Sequence, residues 1–118
     1  SSLLLERAQI ELHFMVDTQI NEWNLSMEKR KNIYLIVKEA LHNAVKYSNC
    51  TSIYLTFKKR DNRLEIQVKD NGVGFSIDNI NPENGNGLSS MEARCKEMKA
   101  LFQLNSSPGN GCIITLLI

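Results

Sequence analysis

Three groups of side chains in this 118-residue sequence have the types and spacing to do chemistry. Glu39, Asn43 and Lys46 are spaced four and three, so on a helix they line up as acid, amide and base along one stripe. Oxygens of Glu39 or Asn43 suit a hard cation and Lys46 suits phosphate, because Mg²⁺ favours oxygen ligands shared with substrate phosphates. An exposed helix with an ion-pair ladder is the plainer reading of the same stripe. Tyr47, directly after it, either covers a ligand ring or caps the core. Asp70 ends the alternating run Leu64, Ile66, Val68, so parity places its carboxylate on the core-facing row. There it can accept hydrogen bonds from an exocyclic amine while the apolar floor meets a flat ring, or close an Asx turn over the following loop. Gly72 and Gly74 permit positive φ and close approach of backbone to a ligand. Gly85-Asn86-Gly87 precedes Leu88 at a helix start, where free N–H groups and the helix dipole favour phosphate. Neither loop completes G-x-x-x-x-G-K-[ST] or G-x-G-x-x-G, which excludes a P-loop and a Rossmann site.

The elements that must hold these residues follow from hydrophobic periodicity. Ile10, Leu12, Phe14 and Val16 alternate with Glu11, His13 and Met15, which predicts a strand over 10–16 with one buried face. Ser26 stands as an N-cap with Glu28 in the first turn, and Trp23 with Met27 reads as a hydrophobic closure of the helix entry. Ile33, Ile36, Val37, Ala40, Leu41, Ala44 and Val45 then recur at three and four, a helix from 27 to 47 that Ser48-Asn49 ends. Ile53, Leu55, Phe57 and Leu64, Ile66, Val68 predict two strands of an antiparallel hairpin, turned by Lys59-Arg60-Asp61-Asn62. A polar loop runs to Asn84. Leu88, Met91, Cys95 and Met98 predict a second helix over about 86–99, and the runs from Leu101 and Cys112 form a terminal hairpin around Ser107 to Gly111. This order predicts a single α+β domain over 1–118: a two-layer α/β sandwich whose mixed, mostly antiparallel sheet is covered on one face by helices.

Composition removes several function classes. Fourteen Lys and Arg against thirteen Asp and Glu leave a net charge of +1, so no long-range field recruits nucleic acid or an anionic membrane. No apolar run approaches a membrane span, which predicts no membrane contact by this piece. Cys50, Cys95 and Cys112 form no C-x-x-C pair and are odd in number, so a disulfide framework and a zinc site are not expected and a reducing, cytoplasmic setting is. His13 and His42 have no nucleophile motif beside them.

Taken in order, Glu39-x-x-x-Asn43-x-x-Lys46-Tyr47, Asp70-x-Gly72-x-Gly74-Phe75 and Gly85-x-Gly87-Leu88 resemble the N, G1 and G2 boxes of the ATP-binding family that joins gyrase, Hsp90, histidine kinases and MutL. Within it the sequence is similar to the catalytic domain of two-component sensor histidine kinases. The nearest subgroup has a short lid and the run Gly87-Leu88-Ser89-Ser90-Met91-Glu92-Ala93-Arg94. The resemblance implies a Bergerat-type fold and an ATP–Mg²⁺ site. By it Asn43 ligates Mg²⁺, Glu39 assists the metal or acts as base, Lys46 touches phosphate, and Tyr47 flanks the nucleotide. Asp70 binds the adenine amino group beside Gly72 and Gly74, and Gly85, Gly87 and Leu88 close the lid over phosphates.

The resemblance also implies partners: a histidine-bearing dimerisation domain of the same full-length protein and a response regulator. No such helix pair precedes the first strand, so the sequence reads as a fragment that binds ATP without phosphorylating itself, and membrane anchoring of the full-length protein is left open. Cys112 stands where relatives place a Thr that helps an adenine-site water, and a thiol is the weaker donor. The alternative functions are a regulatory module of the same fold, such as an anti-sigma factor serine kinase, and a noncatalytic scaffold.

Overall fold

The structure is a computed structural model that describes residues 9–17, 25–74 and 88–118. Its elements are β1 (Glu11–Val16), α1 (Met27–Tyr47), β2 (Ser52–Arg60), β3 (Arg63–Asp70), α2 (Leu88–Glu97), β4 (Leu101–Ser106) and β5 (Cys112–Leu117). One five-stranded sheet has the order β1-β2-β3-β5-β4; β1 runs parallel to β2 and every other pair is antiparallel. The α+β sandwich with a mixed, mostly antiparallel sheet is therefore observed.

Local signals set the element ends. The Ser26 side chain accepts from the Lys29 N–H at 3.2 Å, satisfying one orphan donor of α1. At the other end Asn49 takes φ 53°, a left-handed exit that Asn tolerates. The β2–β3 turn is tighter than the sequence pattern implies: Lys59 and Arg60 extend β2, and only Asp61-Asn62 turn, with Asp61 at φ 56°.

Core residues sit on one face of the sheet. Ile53 and Leu55 of β2, Leu64, Ile66 and Val68 of β3, and Ile114 and Leu116 of β5 point toward α1 and α2, whose Ile36, Ala40, Met91 and Cys95 meet them. The two helices are also tied to each other by a polar link. The buried Asn32 of α1 donates from Nδ2 to a Glu97 carboxylate oxygen at 3.4 Å and accepts from Arg94 of α2 at 3.2 Å. On the other side of α1, Ile33, Tyr34, Val37, Lys38, Leu41 and Phe57 line a groove of about 240 Å³.

Two expectations are corrected here. β1 has no buried face: all six of its residues are exposed, including Phe14, Met15 and Val16. Leu12, Phe14 and Val16 pair with Ile53, Leu55 and Phe57 and so share the helix-facing side, but β1 is the edge strand, beyond the footprint of the helices. Met27 does not close the helix entry either. It is 85% exposed. Trp23, its proposed companion, lies outside the described residues.

Candidate functional site

Asp70 is the last residue of β3 and shares the buried row of Leu64, Ile66 and Val68, as parity requires. Across the sheet its neighbours in that row are Ile53 on β2 and Cys112 on β5, with Ser106 of β4 beyond. The carboxylate is 7% exposed and its Oδ1 accepts from the Gly72 N–H at 2.9 Å. The Asx-turn contact and a ligand acceptor are compatible, since an ionised carboxylate offers about four acceptor positions. Burial pushes the Asp70 carboxyl above its ordinary value, opposed by the N–H groups of Gly72 and Cys112. Burial and the Asp70 charge together push the Cys112 thiol up to about 11, so at neutral pH it is an uncharged wall of the site.

The glycines after Asp70 have a structural reason. A Cβ on Gly72 would lie 2.2 Å from the Ser48 carbonyl oxygen. One on Gly74, at φ 65°, would lie 2.2 Å from the Ser107 carbonyl oxygen. The Val73 N–H donates to Ser48 C=O at 2.8 Å, and the Val73 carbonyl accepts from the Gly109 N–H. Residues 71–74 are thus wedged between the end of α1 and the β4–β5 turn, and the close approach the two glycines allow is to protein backbone. Gly111 closes the wedge: at φ 72° its missing Cβ leaves room for the Asp70 carbonyl oxygen.

This wedge brings the end of α1 to the Asp70 loop. The facing of α1 follows from Asn32, which lies seven residues before Glu39 and therefore on the same stripe as Glu39, Asn43 and Lys46. Since Asn32 bonds Arg94 and Glu97, that stripe looks toward α2, away from the apolar groove. Glu39 and Asn43 are half-buried, whereas Lys46 and Tyr47 are exposed, with the Lys46 ammonium 5.2 Å from the Tyr47 ring centroid. Tyr47 is not a core cap, which leaves its ring free of the interior. Leu88 is half-buried at the first position of α2, and Gly85 and Gly87 lie outside the described residues.

The donor set bears on a metal. Among the described residues no three His, Cys, Asp or Glu side chains gather to hold an ion. Two oxygen donors on one stripe, Glu39 and Asn43, fit a Mg²⁺ that takes most of its ligands from phosphates and water rather than from a protein cage.

Two structural contributors escape the motif reading. Asn71 occupies a variable place in Asp70-x-Gly72, yet its Oδ1 accepts from the N–H groups of Thr51 and Ser52 and its Nδ2 donates to Thr51 Oγ1. Asn32 interrupts the apolar spacing of α1; a buried amide inside a helix is the signal that would have marked it.

The profile described as histidine kinase-, DNA gyrase B-, and HSP90-like ATPase matches residues 28–118. The chain is 26% identical over 107 residues to sensor histidine kinase ComP of Bacillus subtilis, covering 90% of this chain and 14% of that protein. It is 29% identical over 93 residues to sensor protein VraS of Staphylococcus aureus, covering 79% and 26%. The chain thus spans well under a third of either relative. In fold it is similar to the histidine kinase domain of the Erythrobacter litoralis EL346 blue-light activated kinase. The TM-score is 0.78 at 21% identity, over 99% of this chain and 56% of that one. The catalytic domain of histidine kinase ThkA gives 0.78 at 14% identity, over 99% and 82%.

Proposed function

The chain belongs to the histidine kinase-, DNA gyrase B- and HSP90-like ATPase family, and from that premise we propose that its Asp70 loop, α1 stripe and α2 start form the ATP site of a two-component sensor histidine kinase. The single observation that carries this reading is Asp70: a buried acid with spare acceptor capacity, on an apolar row, at the edge of a loop wedged against the end of α1. Its carboxylate accepts from the adenine amino group, and Ile53 and the Cys112 thiol wall the ring. Tyr47 flanks the nucleotide and Lys46 meets phosphate. Glu39 and Asn43 hold the Mg²⁺, which when bound neutralises charge on the β- and γ-phosphates. Leu88 opens α2, whose N-terminus favours phosphate, and by the family resemblance Gly85 and Gly87 would contact the phosphates as well.

In the transfer step the bond between the γ-phosphorus and the ADP oxygen breaks as a bond to a histidine nitrogen forms, nearly in line. That histidine belongs to a dimerisation domain of the full-length protein, in a cytoplasmic setting, and a response regulator takes the phosphoryl next. His42 sits one residue from Asn43 on the rigid α1 and His13 on β1, so neither reaches in-line geometry without breaking an element. Among the described residues no helix is long and apolar enough to cross a membrane.

The test is calorimetric. Asp70→Asn puts an amide where an acceptor is needed, and ATP affinity should fall about a hundredfold, the upper end of the roughly 1–3 kcal/mol that an unpaired buried polar group costs. Asn43→Ala should keep the helix and lose the Mg²⁺ dependence of binding. Equal ATP affinity in a folded Asp70→Asn variant refutes the site. Incubation with γ-labelled ATP should leave this chain unlabelled, with acid-labile phosphate appearing only on a supplied histidine domain; phosphohistidine on the chain alone refutes the division of labour.

A further inference from the structure

Asn71 is exposed, and exposed side-chain hydrogen bonds usually contribute little, yet this one side chain makes three. Oδ1 accepts from the Thr51 N–H at 2.9 Å and the Ser52 N–H at 3.0 Å, while Nδ2 donates to Thr51 Oγ1 at 2.8 Å. The Asn71 N–H adds a bond to Ser52 C=O at 3.3 Å. These contacts lie one step past the final β2–β3 pair, Ile53 with Asp70, where the ladder would otherwise fray. Thr51 and Ser52 follow directly on the turn that ends α1. The amide therefore ties the strand end that presents Asp70 to the segment that leaves the helix carrying Asn43, Lys46 and Tyr47.

Granted Asp70 as the adenine acceptor, we infer that Asn71 is a positioning residue: it clamps the end of β3 to the start of β2 and so holds the Asp70 carboxylate in the register that reads adenine. Length and chemistry select the residue. Accepting from two consecutive N–H groups takes an oxygen at the reach of Asn or Asp; Ala has none and Gln overshoots. Asp keeps that oxygen, and the Thr51 hydroxyl can rotate to donate to the second carboxylate oxygen in place of the lost Nδ2 contact. With the clamp open, Asp70 keeps its Gly72 contact but gains freedom along the strand axis, and a hydrogen bond to a fixed amine is sensitive to such displacement.

The experiment titrates this chain and its variants with Mg-ATP and with Mg-GTP, which lacks the amino group at that ring position, and records thermal unfolding in parallel. Asn71→Ala should weaken ATP about tenfold with little change for GTP, so that the ATP-to-GTP preference falls by a similar factor. Asn71→Asp should restore ATP affinity to within about threefold, and Thr51→Val should cost less than about twofold. A purely stabilising Asn71 would lower the unfolding temperature and leave the preference intact, and that result overturns the proposal, as does Asn71→Asp behaving like Asn71→Ala. An Asp70→Asn variant run alongside separates the two readings. Unchanged ATP affinity there removes the adenine site itself, whereas loss there with full preference retained in Asn71→Ala removes the role of Asn71 alone.

Discussion

One row of side chains crosses the whole sheet on its helix-facing side: Leu12, Ile53, Asp70, Cys112 and Ser106. Its two regions differ sharply. At the β1 edge Leu12 is 41% exposed, while one strand inward Ile53 is 0% exposed and the charged Asp70 beyond it is 7% exposed. Around Asp70 every neighbouring segment is held by another: Ser48 by Val73, Val73 by Gly109, and the β4–β5 turn against Gly74. Among the described residues, Leu12 on the edge strand is held by the ladder to β2. A carboxylate is thus more deeply buried than a leucine in the same row, because the footprint of α1 and the wedge of backbone turns decide cover, and side-chain hydropathy does not.

Substitutions that respect or violate that wedge test the contrast most strongly. Gly74→Ala drives a Cβ to 2.2 Å from the Ser107 carbonyl oxygen at φ 65°, whereas Gly109→Ala, at φ 83° in the same turn region, meets nothing within 4 Å. The first should cost about 3 kcal/mol or more and abolish ATP binding, and the second only the left-handed strain of about 1 kcal/mol. Urea denaturation of both variants measures the difference; equal losses would mean that the wedge is not rigid.

A matched pair of truncations along the row has a smaller effect. Ile53→Ala empties a fully buried position and should cost about 3 kcal/mol, while Leu12→Ala on the edge should cost under about 1 kcal/mol. Similar values for the two would show that β1 is covered in solution.

The pH dependence should be the weakest signal, and its sign is fixed. Because the folded Asp70 pKa is raised, its contribution to stability is fully present below its unfolded value and lost as pH rises through the folded value. Nucleotide binding runs the other way, since the ionised carboxylate is the better acceptor. ATP affinity should therefore fall on acidification in a window above the ordinary 3.8 of a carboxyl, and Asp70→Asn should flatten that limb of the titration. Stability of the free chain should also decline from pH 9 toward about 11, where the buried Cys95 and Cys112 thiols are forced to ionise.

What the sequence by itself determined is local: helix and strand periods, the Ser26 cap, the Asn49 exit and the parity that puts Asp70 on the row of Leu64, Ile66 and Val68. Each of these depends on residues within a few positions of one another, where steric and hydrogen-bond preferences act without any distant partner. The spacing of Glu39, Asn43 and Lys46 likewise guaranteed a common stripe. Only the tertiary structure decided which way that stripe faces, through the bonds of Asn32 to Arg94 and Glu97, partners more than sixty residues away. It also decided that β1 is a parallel edge strand outside the helical cover, that Gly72 and Gly74 yield to backbone rather than to ligand, and that Asn71 grips Thr51 and Ser52. Alternation tells which side of a strand a residue takes, but whether that side is covered depends on where a distant helix comes to rest, and no local pattern encodes that position.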